Sequence, residues 1–353
     1  MNTSKFLKEI FEQPDALRLL INKASDEHIL DFKNLKDMYK NKMINKVIFT
    51  GMGSSLNASI PASIYLSSYN IDSFCLESSE LLHYADGLLD KNTLLIAVSQ
   101  SGESAEVVKL INKNRKNIGN IVACTNNKES SISKNADLVL DMYAGIEETA
   151  STKTYINSVA LLYLISCAIT STLKIEKFEQ FYKTADFIEC MINQGREKVK
   201  IISKVFLKCQ NISIIARGPS VSAASQGALM LKETARLYAE SISAGQFRHG
   251  PLEITGVGHG AIILVHSGKT SDLNLKLAKE IAEFGSEVLI ITDMKSDLDE
   301  IKKIFTYKIN NITEYIAPML QIIPLELISL ISTENKGLLD EGYSRIEKVT
   351  TDE

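Results

Sequence analysis

The feature that most constrains the fold is a series of short apolar runs, each of which leads into a helix-like segment. At or just after the ends of these runs lie Gly51, Gly102 and Thr125 in the first half, and Gly218, Gly268 and Thr292 in the second. The intervals between these residues are 51 and 23 residues in the first half and 50 and 24 in the second. Strands that alternate with helices form a mostly parallel sheet covered on both faces. The matched intervals favour a tandem duplication, with chance alternation as the alternative.

The predicted fold is therefore α/β, with two tandem domains. Each is expected to be a mostly parallel sheet flanked by helices, in a flavodoxin-like three-layer αβα arrangement. We expect a helical lead over residues 1–40 and a first domain over 41–173. A second domain, which includes the helices that link it to the first, is expected over 174–333, and the polar segment 334–353 forms a C-terminal tail.

Composition narrows the class of protein. A chain of 353 residues can bury two separate cores. The net charge of −4 argues against nucleic acid or a membrane surface as the main partner. No signal-peptide core is present at the N-terminus, and the five cysteines are odd in number and form no CxxC pair. We therefore expect a cytoplasmic protein with reduced cysteines, no metal site and no cofactor.

The segment Ser99–Ser104, Ser-Gln-Ser-Gly-Glu-Ser, is the strongest candidate for a binding site. It follows a predicted strand and begins a predicted helix, so that backbone N–H groups, hydroxyls and the positive end of a helix point to one place. Such a loop is typical of a phosphate receptor that uses no Lys or Arg. A plain serine N-cap is the alternative, although a cap needs only one of the three hydroxyls.

A second glycine loop, Thr50–Asn57, follows the first strand and begins a helix predicted from Asn57. Its Gly-x-Gly start resembles a dinucleotide fingerprint, but the third glycine position is Leu56. Ser54 and Ser55 suit the phosphate or hydroxyls of a smaller ligand better. Both loops are expected beyond the carboxyl ends of parallel strands, where ligands bind. The corresponding loop of the second half, Val265–Thr270, has lost one serine and the glutamine, so the phosphate site is predicted in the first half only.

Three further segments contain candidate residues. Glu147–Lys153 carries hydroxyls in front of a long apolar helix, and helix capping is the alternative interpretation there. Glu233 lies on a helix-like run, where a solvated helix face is the simpler explanation. His249 precedes Gly-Pro and therefore lies at a turn. A loop imidazole can transfer protons near neutral pH, although a structural hydrogen-bonding role is more common.

Together these segments resemble the sugar isomerase (SIS) family, and within it the isomerase half of glucosamine-6-phosphate synthases. The resemblance extends over essentially the whole chain. The matching segments, in order, are Lys8–Pro14, Gly51–Ser55, Ser99–Ser104, Ala150–Lys153, Leu231–Glu233 with His249–Pro251, and Lys348–Thr350. The Ser-Gln-Ser-Gly-Glu and His-Gly-Pro segments are specific when they occur together at this separation.

The resemblance implies a role for each matched position. The residues that would hold the sugar phosphate are Ser55, Ser99, Gln100, Ser101 and Ser104, and those that would line the sugar pocket are Thr149 and Ser151. His249 would open the sugar ring, and in this family it reaches the site from the partner subunit, which implies a homodimer. Glu233 would move a proton between C1 and C2. Lys348 would approach the carbonyl carbon, either to form an imine or to close the site.

The chain departs from the family pattern at three places. The synthases carry an N-terminal glutamine-hydrolysing domain with a cysteine after the first Met, whereas residue 2 here is Asn2. We therefore expect no use of glutamine as a nitrogen source by that route. A family lysine linked to isomerisation is replaced by Met230, and the tail reads Gly-Tyr-Ser-Arg over residues 342–345 instead of containing Pro-Arg.

The sequence thus predicts an enzyme that isomerises or deaminates a 6-phosphosugar of the glucosamine 6-phosphate or fructose 6-phosphate type. A fructosamine-6-phosphate deglycase is a close alternative. A sugar-phosphate-sensing regulator without catalysis is the alternative from another class. The presence of Glu233, His249 and Lys348 together argues against the regulator, because sensing needs only the serine loops.

Overall fold

The computed structural model describes residues 4–295, 297–339, 345, 347–350 and 352. The chain divides into two compact units. The first-sheet unit comprises residues 12–185 and 345–353, and the second-sheet unit comprises residues 1–11 and 186–344. Helices α1 (Lys5–Asp26) and α8 (Ile175–Phe206) each contribute residues to both units.

In the first-sheet unit, the described residues form a sheet of five parallel strands in the order β2-β1-β3-β4-β5. The strands are β1 (Lys46–Gly51), β2 (Asp72–Glu77), β3 (Thr93–Val98), β4 (Asn120–Thr125) and β5 (Leu138–Asp141). The helices are α2 (Ile29–Lys40), α3 (Gly53–Ser68), α4 (Ser78–His83), α5 (Ala105–Asn114), α6 (Ser131–Asn135) and α7 (Lys153–Ile169). Every residue of the central strand β3 is buried, as expected of a strand with helices on both faces.

The second-sheet unit has the same strand order, β7-β6-β8-β9-β10, again all parallel. The strands are β6 (Asn211–Ala216), β7 (Ala239–Ser243), β8 (His259–Val265), β9 (Glu287–Thr292) and β10 (Ile304–Lys308). The helices are α9 (Val221–Glu233), α10 (Ala244–Phe247), α11 (Ser271–Glu283) and α12 (Pro318–Asn335). These two sheets confirm the predicted α/β class with two domains of mostly parallel sheet, and the strand order is the flavodoxin-like one.

Two helices are predominantly apolar and buried on all sides. All residues of α7 are buried, and α12 is buried from Pro318 to Thr333. Neither this pair nor any other helix in the described ranges combines the length and apolarity that a bilayer crossing requires.

Candidate functional site

Two glycine-serine loops meet at the carboxyl edge of the first sheet. Strands β1 and β3 are hydrogen-bonded neighbours, with Thr50 in register with Ala97, so the loops that follow them are adjacent. A Cβ on Gly51 would lie 2.7 Å from the carbonyl oxygen of Val98, so only glycine fits at the end of β1. Helix α3 begins at Gly53 rather than at Asn57, and this places the half-buried Ser54 and Ser55 in its first turn.

The serine loop after β3 is ordered by its own hydroxyls. The Ser99 hydroxyl accepts a hydrogen bond from the Gly102 N–H at 3.1 Å and shares another with the Ser104 hydroxyl at 3.0 Å. The Ser101 hydroxyl accepts from the Glu103 N–H at 3.1 Å. Gly102 has φ +69°, a conformation that favours glycine. The loop's own hydrogen bonds therefore hold its shape.

Contacts with neighbouring elements fix the loop in place. The carbonyl of Gln100 accepts hydrogen bonds from the Asn126 N–H at 3.0 Å and from the Thr125 hydroxyl at 3.2 Å, both at the end of β4. The Glu103 carboxylate accepts from the Ser131 N–H at 2.8 Å, at the start of α6. Hydrogen bonds from Ser131 lower the pKa of Glu103, so this anchor persists in its charged form.

Helix α5 begins directly after this loop. Ser104 occupies the N-cap position, but its side chain makes no capping hydrogen bond and bonds to Ser99 instead. The N–H of Ala105 donates to the carbonyl oxygen of Thr350 at 3.2 Å. The C-terminal tail therefore reaches the loop, and a plain serine N-cap does not describe Ser104.

The third polar segment is organised around a buried carboxylate, Glu147. One carboxylate oxygen accepts from the Thr152 N–H at 2.9 Å and from the Thr154 N–H at 3.2 Å, and so caps α7. The other oxygen lies 3.2 Å from the Lys348 ammonium, which also donates to the carbonyl of Thr149. The side chain of Glu147 has no exposed surface. Helix capping, the alternative interpretation of this segment, is thus present, and it is combined with an ion pair to the tail that sequence reasoning missed.

The first-sheet unit thereby brings together most of the predicted site residues. The first residue of α5, directly after the serine loop, donates to Thr350 of the tail, and the tail lysine contacts the segment that holds the half-buried Thr149 and Ser151. The hydroxyl of Ser151 shares a hydrogen bond of 2.6 Å with that of Thr154. Of the unusual tail segment, residues 342–344 lie outside the described residues.

The other two catalytic candidates belong to the second-sheet unit. Glu233 is the last residue of α9 and is half-buried. His249 lies after α10 and is exposed, and its backbone N–H donates to the carbonyl of Gln246 at 2.9 Å. Gly250 follows with φ +118°, so a tight turn presents the imidazole to solvent. Met230, at the position of the family lysine, is fully buried.

A second, buried histidine lies beneath the segment that carries His249. The ring of His259, at the start of β8, stacks on that of Phe247 with centroids 6.3 Å apart. Its two nitrogens share hydrogen bonds with the hydroxyls of Ser213 at 3.0 Å and Ser286 at 2.9 Å. Burial lowers the pKa of His259 to about 4, so this imidazole is neutral at physiological pH.

The corresponding carboxyl edge of the second sheet contains its own anion. Asp293 accepts hydrogen bonds from the N–H of Ser267 at 2.8 Å and from its hydroxyl at 2.6 Å. Burial opposes ionisation of Asp293, but the bonds from Ser267 and the nearby His266 lower its pKa. A carboxylate of this chain thus occupies donors of the second-half loop. Among the described residues, no cluster of His, Cys, Asp and Glu has the composition of a metal site.

The strand order and the paired glycine-serine loops define a two-domain α/β protein, in which a serine loop and the start of a helix lie at the carboxyl edge of the first sheet. The SIS domain model matches residues 42–168 and 206–330, and the chain belongs to the SIS domain family. This confirms the resemblance on which the site residues were assigned, whereas their individual roles stay predictions.

Similar proteins include a glutamine–fructose-6-phosphate aminotransferase (isomerizing) of Thermococcus kodakarensis, 28% identical over 92% of this chain. The chain spans about half of that relative's length (54%). Among solved structures, the C-terminal domain of a glucosamine-fructose-6-phosphate aminotransferase from Francisella tularensis superposes with a TM-score of 0.85, at 23% identity over 95% of this chain and 97% of that one. A glucosamine-6-phosphate deaminase from Thermotoga maritima gives 0.76, at 19% identity over 98% and 99%.

Proposed function

We propose that this protein is an enzyme of the phosphosugar isomerase type, which interconverts or deaminates a 6-phosphosugar such as glucosamine 6-phosphate or fructose 6-phosphate. The observation that carries the proposal is the junction of tail and serine loop in the first-sheet unit. Thr350 contacts the N-terminus of α5, while Lys348 is held by Glu147 and Thr149. A loop suited to a phosphate and a positioned amine are therefore close to each other in one unit, which supports the proposal. A sensor of sugar phosphate would need only the receptor.

The serine loop would hold the phosphate end of the sugar. Hydroxyls and backbone N–H groups bind a phosphate dianion without a cation, helped by the positive end of the α5 dipole. The internal bonds of Ser99 and Ser101 fix the loop in advance, which reduces the ordering cost of binding. Ser54 and Ser55, in the first turn of α3, would supply further donors from the adjacent loop.

The chemistry at the other end of the sugar needs an acid and a base. His249 would protonate the ring oxygen as the ring opens, and in this proposal it acts in the partner's site of a homodimer. Glu233 would then take the proton from one of the two carbons C1 and C2 and return it to the other through an enediol or enolamine. A carboxylate is a weak base in water, so this step requires a site from which water is excluded.

The surroundings of Lys348 favour closure of the site over imine formation. Its nitrogen is engaged by a buried carboxylate and a carbonyl oxygen, which suits a charged ammonium. An ammonium has three donors, so one remains for an oxygen of the substrate. To form an imine, the nitrogen would first have to lose a proton, and the carboxylate of Glu147 is the adjacent acceptor.

The fully buried Met230 bears on which reaction is catalysed. In a site of this family pattern its thioether replaces an amine, so one proton carrier is absent. We therefore favour simple isomerisation or deamination over nitrogen incorporation. A fructosamine-6-phosphate deglycase stays a second candidate, since release of an amine from C1 needs the same proton transfer.

The decisive experiment incubates the protein with fructose 6-phosphate, glucosamine 6-phosphate and fructosamine 6-phosphates while ammonia and sugar products are followed. Turnover of one of them, together with its loss in Glu233→Gln, supports the enzyme. Exchange of the C1 or C2 proton with deuterated solvent reports the proton-transfer step directly. Tight binding of sugar phosphate without turnover or exchange would instead identify a regulator.

A further inference from the structure

The segment from Tyr143 to Thr152, which carries Glu147 and Thr149, is a loop without regular structure, yet its backbone is held along its length. The Tyr143 N–H donates to the Asp141 carboxylate at 2.8 Å. Asn126 accepts from the Ala144 N–H at 2.9 Å and donates to the Gly145 carbonyl at 2.6 Å. These contacts fix the part of the loop that precedes the buried carboxylate.

The contact next to Glu147 is made by a buried lysine. Lys153, the first residue of α7, has 4% of its side chain exposed. Its ammonium donates to the carboxylate of Glu12 at 2.6 Å and to the carbonyl of Ile146 at 2.7 Å. Glu12 and Lys153 both belong to the first-sheet unit, so α1 supplies the counter-charge for this loop. A buried ammonium is costly unless it is paired in this way.

We propose that Lys153 is a positioning residue, whose ammonium holds the Ile146 carbonyl and thereby directs the carboxylate of Glu147 toward Lys348. The proposal rests on the proposed function, because it assumes that a docked Lys348 matters for turnover. The side chain of Ile146 is 83% exposed while that of Glu147 has no exposed surface. Packing of the Ile146 side chain therefore does not fix this part of the backbone. The hydrogen bond from Lys153 holds it, in addition to the bonds that Thr152 and Thr154 donate to the Glu147 carboxylate.

A labelling experiment tests this step without any need for catalysis. The full-length protein is treated with an amine-acylating reagent, and the modification of Lys348 is followed by mass spectrometry of the C-terminal peptide. In Lys153→Met, loss of the contact to Ile146 loosens the backbone beside Glu147, whose carboxylate is then held, besides Lys348, only by Thr152 and Thr154. Labelling of Lys348 should therefore accelerate on the order of tenfold. Lys177→Met is the matched control, because Lys177 is a part-buried lysine of the same unit that donates to the Tyr163 hydroxyl at 2.8 Å.

A milder variant guards against misfolding of Lys153→Met. Glu12→Gln removes only the counter-charge, and the Glu12 side chain is 40% exposed, so the core is left intact. We expect the same acceleration of Lys348 labelling at smaller amplitude, and partial rescue by Lys153→Arg, which retains donors and charge. Unchanged labelling of Lys348 in both Lys153→Met and Glu12→Gln would overturn the proposal, provided that thermal denaturation shows both variants to be folded.

Kinetics then separate this proposal from the proposed function. If the enzyme turns over a sugar phosphate, Lys153→Met should lower kcat by about tenfold or more, since a displaced catalytic group is costly, while Lys177→Met should not. If no substrate is turned over, the proposed function fails and the labelling result still stands for the positioning role. Labelling that accelerates while kcat is unchanged would show that the docked state of Lys348 is not needed for turnover.

Discussion

The ammonium nitrogen of Lys348 lies 3.2 Å from a carboxylate oxygen of Glu147, which is 201 residues away in the sequence. The two residues lie in the same compact unit, and the carboxylate also caps α7. One buried carboxylate therefore orders the start of a helix and holds the tail. The N–H groups of the helix start bind one oxygen, and Lys348 binds the other, which also accepts from the Thr154 hydroxyl. The N–H cap and the contact with the tail can therefore be separated by mutation.

Glu147→Gln is expected to release the tail while it preserves the helix cap. The amide oxygen still accepts from the N–H groups at the start of α7, but the NH₂ group cannot accept from Lys348. A hydrogen bond between charged groups contributes about 1.5–3 kcal/mol. Its loss should raise KM or lower kcat by about tenfold or more. Steady-state kinetics check this, with the exposed neighbour variant Glu148→Gln as control. Wild-type kinetics in Glu147→Gln would show that the ion pair has no part in turnover.

A methyl group at Gly102 is expected to disrupt the serine loop. A Cβ there would lie 2.0 Å from the hydroxyl oxygen of Ser130, in addition to the strain of φ +69°. Gly145→Ala is a matched control, because Gly145 has φ +67° but no heavy atom within 4 Å of the added Cβ. Backbone strain alone should lower the free energy of unfolding of the control by about 1–2 kcal/mol, and Gly102→Ala should lose clearly more. Thermal denaturation measures the stability of both variants, and phosphate titration measures their affinity. Equal losses of stability in the two variants would contradict the contact at Ser130.

Stability should fall in acid because of His259. Its pKa is about 4 in the folded protein, against an ordinary value of 6.5 for an imidazole in water, so between these values only the unfolded chain takes up the proton. This contribution to stability is complete above pH 6.5 and is lost as the pH falls toward 4. Urea denaturation across this range should show a smaller slope of unfolding free energy against pH in His259→Gln than in the wild type. Equal slopes would exclude His259 as the cause.

Mixed dimers should reveal whether His249 acts across an interface. Glu233→Gln and His249→Ala should each be inactive alone. If each site combines Glu233 of one subunit with His249 of the other, a mixed dimer contains one intact site. An equal mixture after subunit exchange should then recover about a quarter of wild-type activity, given random pairing in a symmetric dimer. No recovery, with exchange verified by mass spectrometry, would place both groups in one chain.

The strands with a continuous apolar run were the clearest to predict from the sequence, and the short edge strands β2 and β5 of the first sheet were predicted as well. Strand β3 and strand β8 are buried at every residue, so their sequences are unmistakable. Strands β7 and β10 were not predicted, because they lie at sheet edges and are partly exposed, which breaks the apolar pattern. The strand order itself depends on which strands pair, and local sequence does not record this.

The site shows the same division between local and distant information. The serine loop could be predicted because its donors lie within six residues of each other, from Ser99 to Ser104. The pairing of Glu147 with Lys348 could not, since nothing in either local sequence names the other. Helix capping was the alternative interpretation of the segment Glu147–Lys153, and only the fold shows that the Glu147 carboxylate both caps α7 and is bound by the tail.

The carboxylate of Asp293 has a consequence for how the protein responds to its surroundings. The carboxylate of Asp293 already accepts the hydrogen bonds of Ser267 at the second sheet edge. Dissolved phosphate would therefore have to displace a carboxylate that belongs to the protein itself. Saturation should therefore require one equivalent of ligand per chain and follow a simple hyperbola. Inorganic phosphate should act as a plain competitive inhibitor, without the sigmoidal response that two equivalent receptors in one polypeptide would permit.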